Sequence, residues 1–101
     1  MTILFKAPGE EAEVREITNE LETLQELVGG YIKTVPLEGP LLFIVNEDGK
    51  MLGLPQNVVA PSCDVLVGPV VVAAYDGGED FRALTAEDIE FCKEYFAYCE
   101  V

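Results

Sequence analysis

The sequence has no histidine and no tryptophan, and only six of its 101 residues are lysine or arginine. Without imidazole, the usual general base and metal ligand at neutral pH is missing. The six bases face nineteen aspartates and glutamates, which gives a formal net charge of −13. Because nucleic acids and anionic membranes attract clustered lysine and arginine, we expect no direct binding to nucleic acid and none to a membrane.

Signals for export and for membrane insertion are also missing. Residues 1–6 reach Pro8 too soon to form the apolar region of a signal peptide. The longest nearly uncharged stretch, residues 65–75, is too short to cross a bilayer. The three cysteines have no spacing typical of a disulfide framework, and reduced thiols are typical of the cytoplasm. We therefore expect a cytoplasmic protein.

What is present suits one hydrophobic core. Half of the residues are hydrophobic and 25% are charged, which is an ordinary balance for a folded protein. The acidic residues are spread over both halves of the chain, and no repeat, linker or low-complexity segment interrupts it. This composition predicts a single domain over residues 1–101.

Capping signals and apolar spacing predict two helices. Asn19 with Glu22 resembles a capping box, and apolar residues at helical spacing follow it, so we expect a first helix over residues 19–28 that ends at Gly29. Thr85 with Asp88 marks the start of a second helix over residues 86–98. Its expected buried stripe is Ile89, Cys92, Tyr95, Phe96 and Cys99.

Short apolar and alternating runs predict the strands. Asp48-Gly49 is a hairpin signal, so residues 50–54 are expected to return as a strand, whereas residues 55–62 are expected to form a loop. The fold class is therefore α+β, a mostly antiparallel sheet of five to seven short strands with two helices packed on one face. The predicted strands are residues 2–7, 13–17, 31–37, 41–45, 50–54, 64–75 with a break at Gly68-Pro69, and 81–84 as a short strand or an extended entry.

The residue types give little support to catalysis. Ser62 is the only serine, and no histidine is present to activate it. Cys92 and Cys99 fall on the predicted buried stripe, and Cys63 is expected to be a small buried residue beside an apolar loop. The acidic segment 76–80 lacks the spacing of a calcium-binding loop. We therefore expect no enzyme activity, no catalytic residue, no metal site and no cofactor.

Binding functions are harder to exclude. The amide side chains of residues 53–57 could hydrogen-bond a ligand or peptide, although Asn57 is more simply explained as satisfying its own turn. Phe91 and Tyr98 fall outside the apolar stripe of the second helix, which suggests a homodimer contact through this C-terminal helix or a partner groove. The candidate binding residues are Asn46, Gly53, Pro55, Gln56, Asn57, Phe91 and Tyr98.

Three runs of sequence resemble a known family. They are LVGGYIKTVPL at residues 27–37, NEDGK at 46–50 and GLPQN at 53–57, and the likeness extends to residues 64–68 and 84–89. This pattern is similar to that of the small acidic proteins called domain of unknown function 3846. The resemblance implies a setting in Gram-positive bacteria, their phages and conjugative elements, with anti-restriction genes as neighbours of some members. It implies no activity, cofactor or catalytic residue.

Two main hypotheses follow. The first is a non-enzymatic acidic binding protein of a phage or mobile element, an anti-restriction or anti-defence accessory that engages a basic host protein and competes with nucleic acid. The alternative is a protein that binds or sequesters a small molecule, a nucleotide or metabolite. The scarcity of basic residues disfavours a phosphate ligand unless its pocket contains Lys33 or Arg82. An accessory structural protein of the element is a third reading, and the acidity could also serve solubility alone.

Overall fold

The computed structural model describes residues 1–78 and 80–101. Within these residues the chain forms eight strands and two helices. The helices are α1 (Leu21–Val28) and α2 (Ala86–Cys99). The strands are β1 (Thr2–Lys6), β2 (Glu13–Glu16), β3 (Ile32–Glu38), β4 (Leu41–Asn46), β5 (Gln56–Val59), β6 (Val65–Val67), β7 (Val70–Tyr75) and β8 (Phe81–Arg82).

Six strands form one antiparallel sheet in the order β2-β1-β7-β4-β3, with β8 paired to β7. β4 and β7 lie at its centre and are nearly all buried, as their unbroken apolar runs predict. β2 and β3 are the outermost strands, and Pro36 lies on β3, where a residue without a backbone N–H is tolerated. β5 and β6 pair in a separate two-stranded sheet.

The two helices cover opposite faces of the main sheet. α1 packs through Leu24 and Val28 against the face that carries Ile44, whereas α2 packs through Cys92 and the neighbouring Phe96 against the other face. The α+β class and the antiparallel sheet are thus confirmed, but the prediction that both helices pack on one face is wrong. Because β4 and β7 are apolar at almost every position, both faces of the sheet must be covered.

The small sheet lies on the same face as α2 and adds Val58 and Leu66 to that core. Its strand β5 falls in the segment that we predicted to be a loop. The returning strand predicted over residues 50–54 is absent, because residues 50–53 form turns and residue 54 has no regular secondary structure. The side-chain oxygen of Asn46 accepts a hydrogen bond from the backbone N–H of Asp48, which turns the chain as soon as β4 ends.

Of the two capping boxes predicted from the sequence, the one at α2 is confirmed and the one at α1 is wrong. In α2 the Thr85–Asp88 capping box is present in both directions, as expected. In α1 the N-cap position is Glu20, without a side-chain cap, and Asn19 instead donates to the carbonyl of Phe81 at 3.1 Å. No helix in residues 1–78 and 80–101 is long and apolar enough to cross a bilayer.

The break at Gly68-Pro69 carries the chain from the small sheet to the main sheet. Gly68 has φ 74°, a conformation that favours glycine. A Cβ atom here would lie 2.6 Å from Leu54 Cδ1. The predicted break is therefore confirmed, and it connects the two sheets.

Candidate functional site

Lys6 is a charged residue almost completely enclosed by the fold. It ends β1 on the same face as Leu4, and it is 1% exposed. Its Nζ donates to Asn57 Oδ1 at 2.7 Å and to Glu100 Oε1 at 3.3 Å. Burial of an ammonium group requires such partners, because its desolvation is costly.

Asn57 connects three segments around Lys6. Its side chain is fully buried, and its Nδ2 donates to the carbonyl oxygens of Lys6 at 2.9 Å and Gly68 at 2.8 Å. The side-chain amide therefore holds β1, β5 and the break before β7 together. The expectation that Asn57 satisfies its own turn is wrong, because its amide bonds to Lys6 and Gly68, and full burial keeps this side chain away from the surface.

A cavity of about 350 Å³ opens beside Lys6, between β1, the β1–β2 turn and α2. We call it the Lys6 cavity. This volume is at the lower end of the range for small-molecule sites. Two of the six basic side chains of the protein line it together with two carboxylates and apolar groups. The lining includes Lys6, Glu11, Ala12, Lys93, Phe96 and Glu100.

The position of Glu100 over this cavity is set by its backbone. Its N–H donates to the carbonyl of Phe96 at 3.2 Å, and the residue pairs with Val58 of β5 in an isolated bridge. The N–H of Val101 donates to the carbonyl of Asn57 at 2.9 Å. These bonds attach the end of α2 to β5 and bring the Glu100 carboxylate to Lys6.

A second concave surface lies where α1 ends. Gln25 and residues 29–31 meet Asn46, Asp48 and Leu52 around an open hollow of about 250 Å³, which we call the Tyr31 hollow. Tyr31 is 69% exposed and Leu52 is 62% exposed. Met51, next to Leu52 in the chain, is 88% exposed.

Asn46 lines the Tyr31 hollow, but both ends of its side-chain amide already form hydrogen bonds within the protein. It is 6% exposed, and its Nδ2 donates to the carbonyl of Val28 at 3.1 Å while its Oδ1 accepts from Asp48. Gly30 lies so close that a Cβ atom there would be 3.0 Å from Asn46 Nδ2. The amide therefore joins the end of α1 to the turn after β4.

The remaining candidates are dispersed. Gly53, Pro55 and Gln56 are exposed, and they line neither the Lys6 cavity nor the Tyr31 hollow. Phe91 is half-buried and packs against the core beside Tyr95, so its predicted place on a second apolar face is wrong. Tyr98 is 89% exposed, which leaves it as the exposed aromatic side chain of α2.

The cysteines differ in accessibility. Cys92 is buried, and burial together with the Asp88 carboxylate raises its thiol pKa to about 12. Cys63 is exposed, with φ 70° in a turn, so the expectation that it is buried is wrong. The described residues contain no cluster that could hold a metal ion. Glu79, which belongs to the acidic segment 76–80, lies outside them.

The cavity beside Lys33 is small. Lys33 lines a cavity of about 60 Å³ with Lys50 and Asp64, which pair with each other. The Lys50 hydrogen bond keeps the pKa of Asp64 below its usual value. Because ligand sites begin at about 300 Å³, this cavity is too small for a nucleotide.

The model of the family called domain of unknown function 3846 matches residues 1–97. The chain belongs to this family. No curated protein and no solved structure matches it. The DUF3846 match includes Lys6, Asn57 and Lys93 but ends before Glu100. Two of the segments on which the resemblance rests, residues 27–37 and 46–50, meet at the Tyr31 hollow.

Proposed function

We propose that this DUF3846 protein is a non-enzymatic cytoplasmic binding protein, and that it engages a basic protein partner through the Tyr31 hollow. The observation that carries the proposal is the exposure of Tyr31, Met51 and Leu52 around a concave surface. Tyrosine and other large apolar side chains, when they are exposed together, are typical of interaction surfaces. None of the three is needed to cover the core.

The charges beside the Tyr31 hollow favour a basic partner. Glu47 and Asp48 are exposed there, and the N–H of Glu47 donates to the carbonyl of Tyr31 at 2.8 Å. Neither carboxylate forms an ion pair within residues 1–78 and 80–101. A fitting partner segment has an apolar side chain that enters the hollow and lysine or arginine beside it.

The charge of the whole protein supports the same class of partner. Among the described residues, four of the six lysine and arginine side chains form ion pairs with carboxylates of the chain itself. The carboxylates that remain give a negative potential that speeds encounter with a basic protein. A second copy of this chain, also at −13, is repelled by the same potential.

The acidic residues are not confined to one face. Glu22 and Glu26 lie on α1, whereas Glu90 and Glu94 lie on α2, on the opposite side of the sheet. We therefore assign specificity to the Tyr31 hollow and only attraction to the general charge. A nucleic-acid-handling host protein fits this description, and in a phage or mobile element such binding would serve as an anti-defence function.

The experiment compares the affinities of two surface variants of this chain for the same partner protein. The immobilised protein is exposed to a Gram-positive lysate at low and high salt, the retained basic protein is identified by mass spectrometry, and its Kd is measured after purification. We expect Tyr31→Ser to weaken binding by about thirtyfold or more, since an aromatic anchor contributes about 2 kcal/mol or more. Tyr98→Ser, which changes an exposed tyrosine on α2, is the matched control and should bind normally.

High salt should also release the partner, because screening weakens exposed charge interactions. Equal affinity of the Tyr31→Ser and Tyr98→Ser variants would rule out the Tyr31 hollow as the binding surface. Absence of any retained basic protein would contradict the proposed function as a whole.

A further inference from the structure

The contact between Lys6 and Glu100 is loose for an ion pair. Charge-assisted hydrogen bonds between nitrogen and oxygen usually span about 2.7–2.9 Å, whereas Lys6 Nζ and Glu100 Oε1 are 3.3 Å apart. The neutral amide oxygen of Asn57 is closer to Lys6, at 2.7 Å. Lys6 is 1% exposed, but Glu100 is 42% exposed. A buried cation is thus paired with a carboxylate that retains much of its contact with solvent.

The Lys6 ammonium has capacity for another anion. An ammonium group has three donors, and within the described residues Asn57 and Glu100 accept from two of them. If the Glu100 side chain turns outward, the buried charge of Lys6 needs a new carboxylate, because an unpaired buried charge is strongly destabilising. The hydrogen bond from the Glu100 N–H to the Phe96 carbonyl and the one from the Val101 N–H to the Asn57 carbonyl can stay in place during this change.

The rest of the Lys6 cavity restricts what such an anion can be. Lys93, on the cavity wall, forms no ion pair among residues 1–78 and 80–101. Ala12 and Phe96 give the wall an apolar part that suits a hydrocarbon body. Glu11 also lines the cavity and disfavours ligands with several negative charges.

From this geometry we propose that the Lys6 cavity binds a small organic monocarboxylate with an apolar body, and that Glu100 is the intramolecular carboxylate that the ligand displaces. The ligand carboxylate binds Lys6 and lies within the field of Lys93. Its apolar body packs against Phe96 and Ala12. Without ligand, Glu100 neutralises Lys6. This site lies on the α2 face of the sheet and does not depend on the Tyr31 hollow.

The test uses phenylacetate as the probe and phenylacetamide as its neutral counterpart, in a titration of the full chain followed by ¹H–¹⁵N NMR. We expect phenylacetate to give saturable shifts at the amides of Ala12 and of Ala97, which also lines the Lys6 cavity, and phenylacetamide to give none. Glu100→Gln removes the competing charge while keeping the side-chain shape. It should bind phenylacetate about tenfold more tightly than the unchanged protein, because the ligand carboxylate then no longer competes with the Glu100 carboxylate for Lys6.

Lys93→Met tests the cavity wall without disturbing a buried group. It should weaken phenylacetate binding by about threefold, the size of an exposed charge interaction. Lys33→Met is the matched control, because Lys33 is also exposed but lies outside the Lys6 cavity, and its affinity should not change. Either equal binding of phenylacetamide or an unchanged affinity in Glu100→Gln would overturn the proposal. Absence of saturable shifts in both the unchanged protein and the Glu100→Gln variant would overturn it as well.

Discussion

Lys6 and Asn57 are 51 residues apart in the sequence, yet Lys6 Nζ donates to Asn57 Oδ1 at 2.7 Å inside the protein. Asn57 also donates to the carbonyl oxygens of Lys6 and Gly68. One side chain thus provides three hydrogen bonds to groups that are shielded from water. The first strand, the small sheet and the start of β7 depend on it together.

We expect Asn57→Ala to lower the free energy of unfolding by about 3 kcal/mol. The substitution removes three buried hydrogen bonds and leaves Lys6 with one partner fewer, and an unsatisfied buried group costs about 1–3 kcal/mol. Urea unfolding monitored by circular dichroism measures the change. Gln56→Ala, at the exposed neighbouring position, should stay within about 0.5 kcal/mol of the unchanged protein. Similar stability of the two variants would contradict the role of Asn57.

Asp88 should make stability depend on pH. Burial raises its pKa, but hydrogen bonds from the backbone and side chain of Thr85 and the charge of Arg82 outweigh burial, so the pKa is lowered overall. A carboxylate whose pKa is lower in the folded state stabilises the fold above its unfolded pKa of about 3.9, and this contribution is lost as the pH falls through the folded value.

Asp88→Asn should therefore reduce stability at pH 7 by about 0.5–1 kcal/mol, the size of a helix-cap contribution. The difference from the unchanged protein should shrink toward zero as the pH falls below the folded pKa. Thermal unfolding at a series of pH values measures this. Glu87→Gln changes a carboxylate in the same helical turn but outside the capping box, and it serves as the control. A loss for Asp88→Asn that is the same at all pH values would contradict the charge argument.

Two of the three thiols, those of Cys63 and Cys92, should react at different rates. Cys63 is exposed, whereas burial and Asp88 raise the pKa of Cys92 to about 12, so that almost no thiolate forms at pH 8. We expect iodoacetamide to modify Cys63 first in the folded protein and Cys92 only after unfolding. Peptide mass spectrometry over time gives the two rates, and Cys63→Ser should remove the fast reaction. Modification of native Cys92 at the rate of Cys63 would show that the helix face is open.

The features that the sequence predicted well depend on local signals. The apolar runs that form β4 and β7 and the Thr85–Asp88 capping box need no distant residue to be recognised. The face on which each helix packs was not predictable in the same way, because strands that are apolar on both sides do not favour either face. The strand predicted after Asp48-Gly49 does not form, because the side-chain oxygen of Asn46 accepts a hydrogen bond from the Asp48 N–H and stabilises a turn there.

The Lys6 cavity was missed because its parts are far apart in the sequence. Its walls come from β1, the β1–β2 turn and α2, and its polar floor also needs Asn57. One local signal existed. Lys6 lies two residues after Leu4, and side chains at this spacing point to the same face of a strand, so Lys6 occupies a position that should be apolar. A charged residue at such a position indicates a buried polar partner.

The two outermost strands of the main sheet, β2 and β3, determine whether further strands can add to its edges. Along β2, Glu13 and Glu16 flank Arg15, while β3 carries Pro36 and a register shift before Glu38. Charges, proline and irregular register at an exposed edge all hinder the addition of another strand. Two molecules that met edge to edge would also bring like charges together. In a concentrated solution these two edges should therefore resist fibril growth, and they disfavour a partner that binds by extending the main sheet.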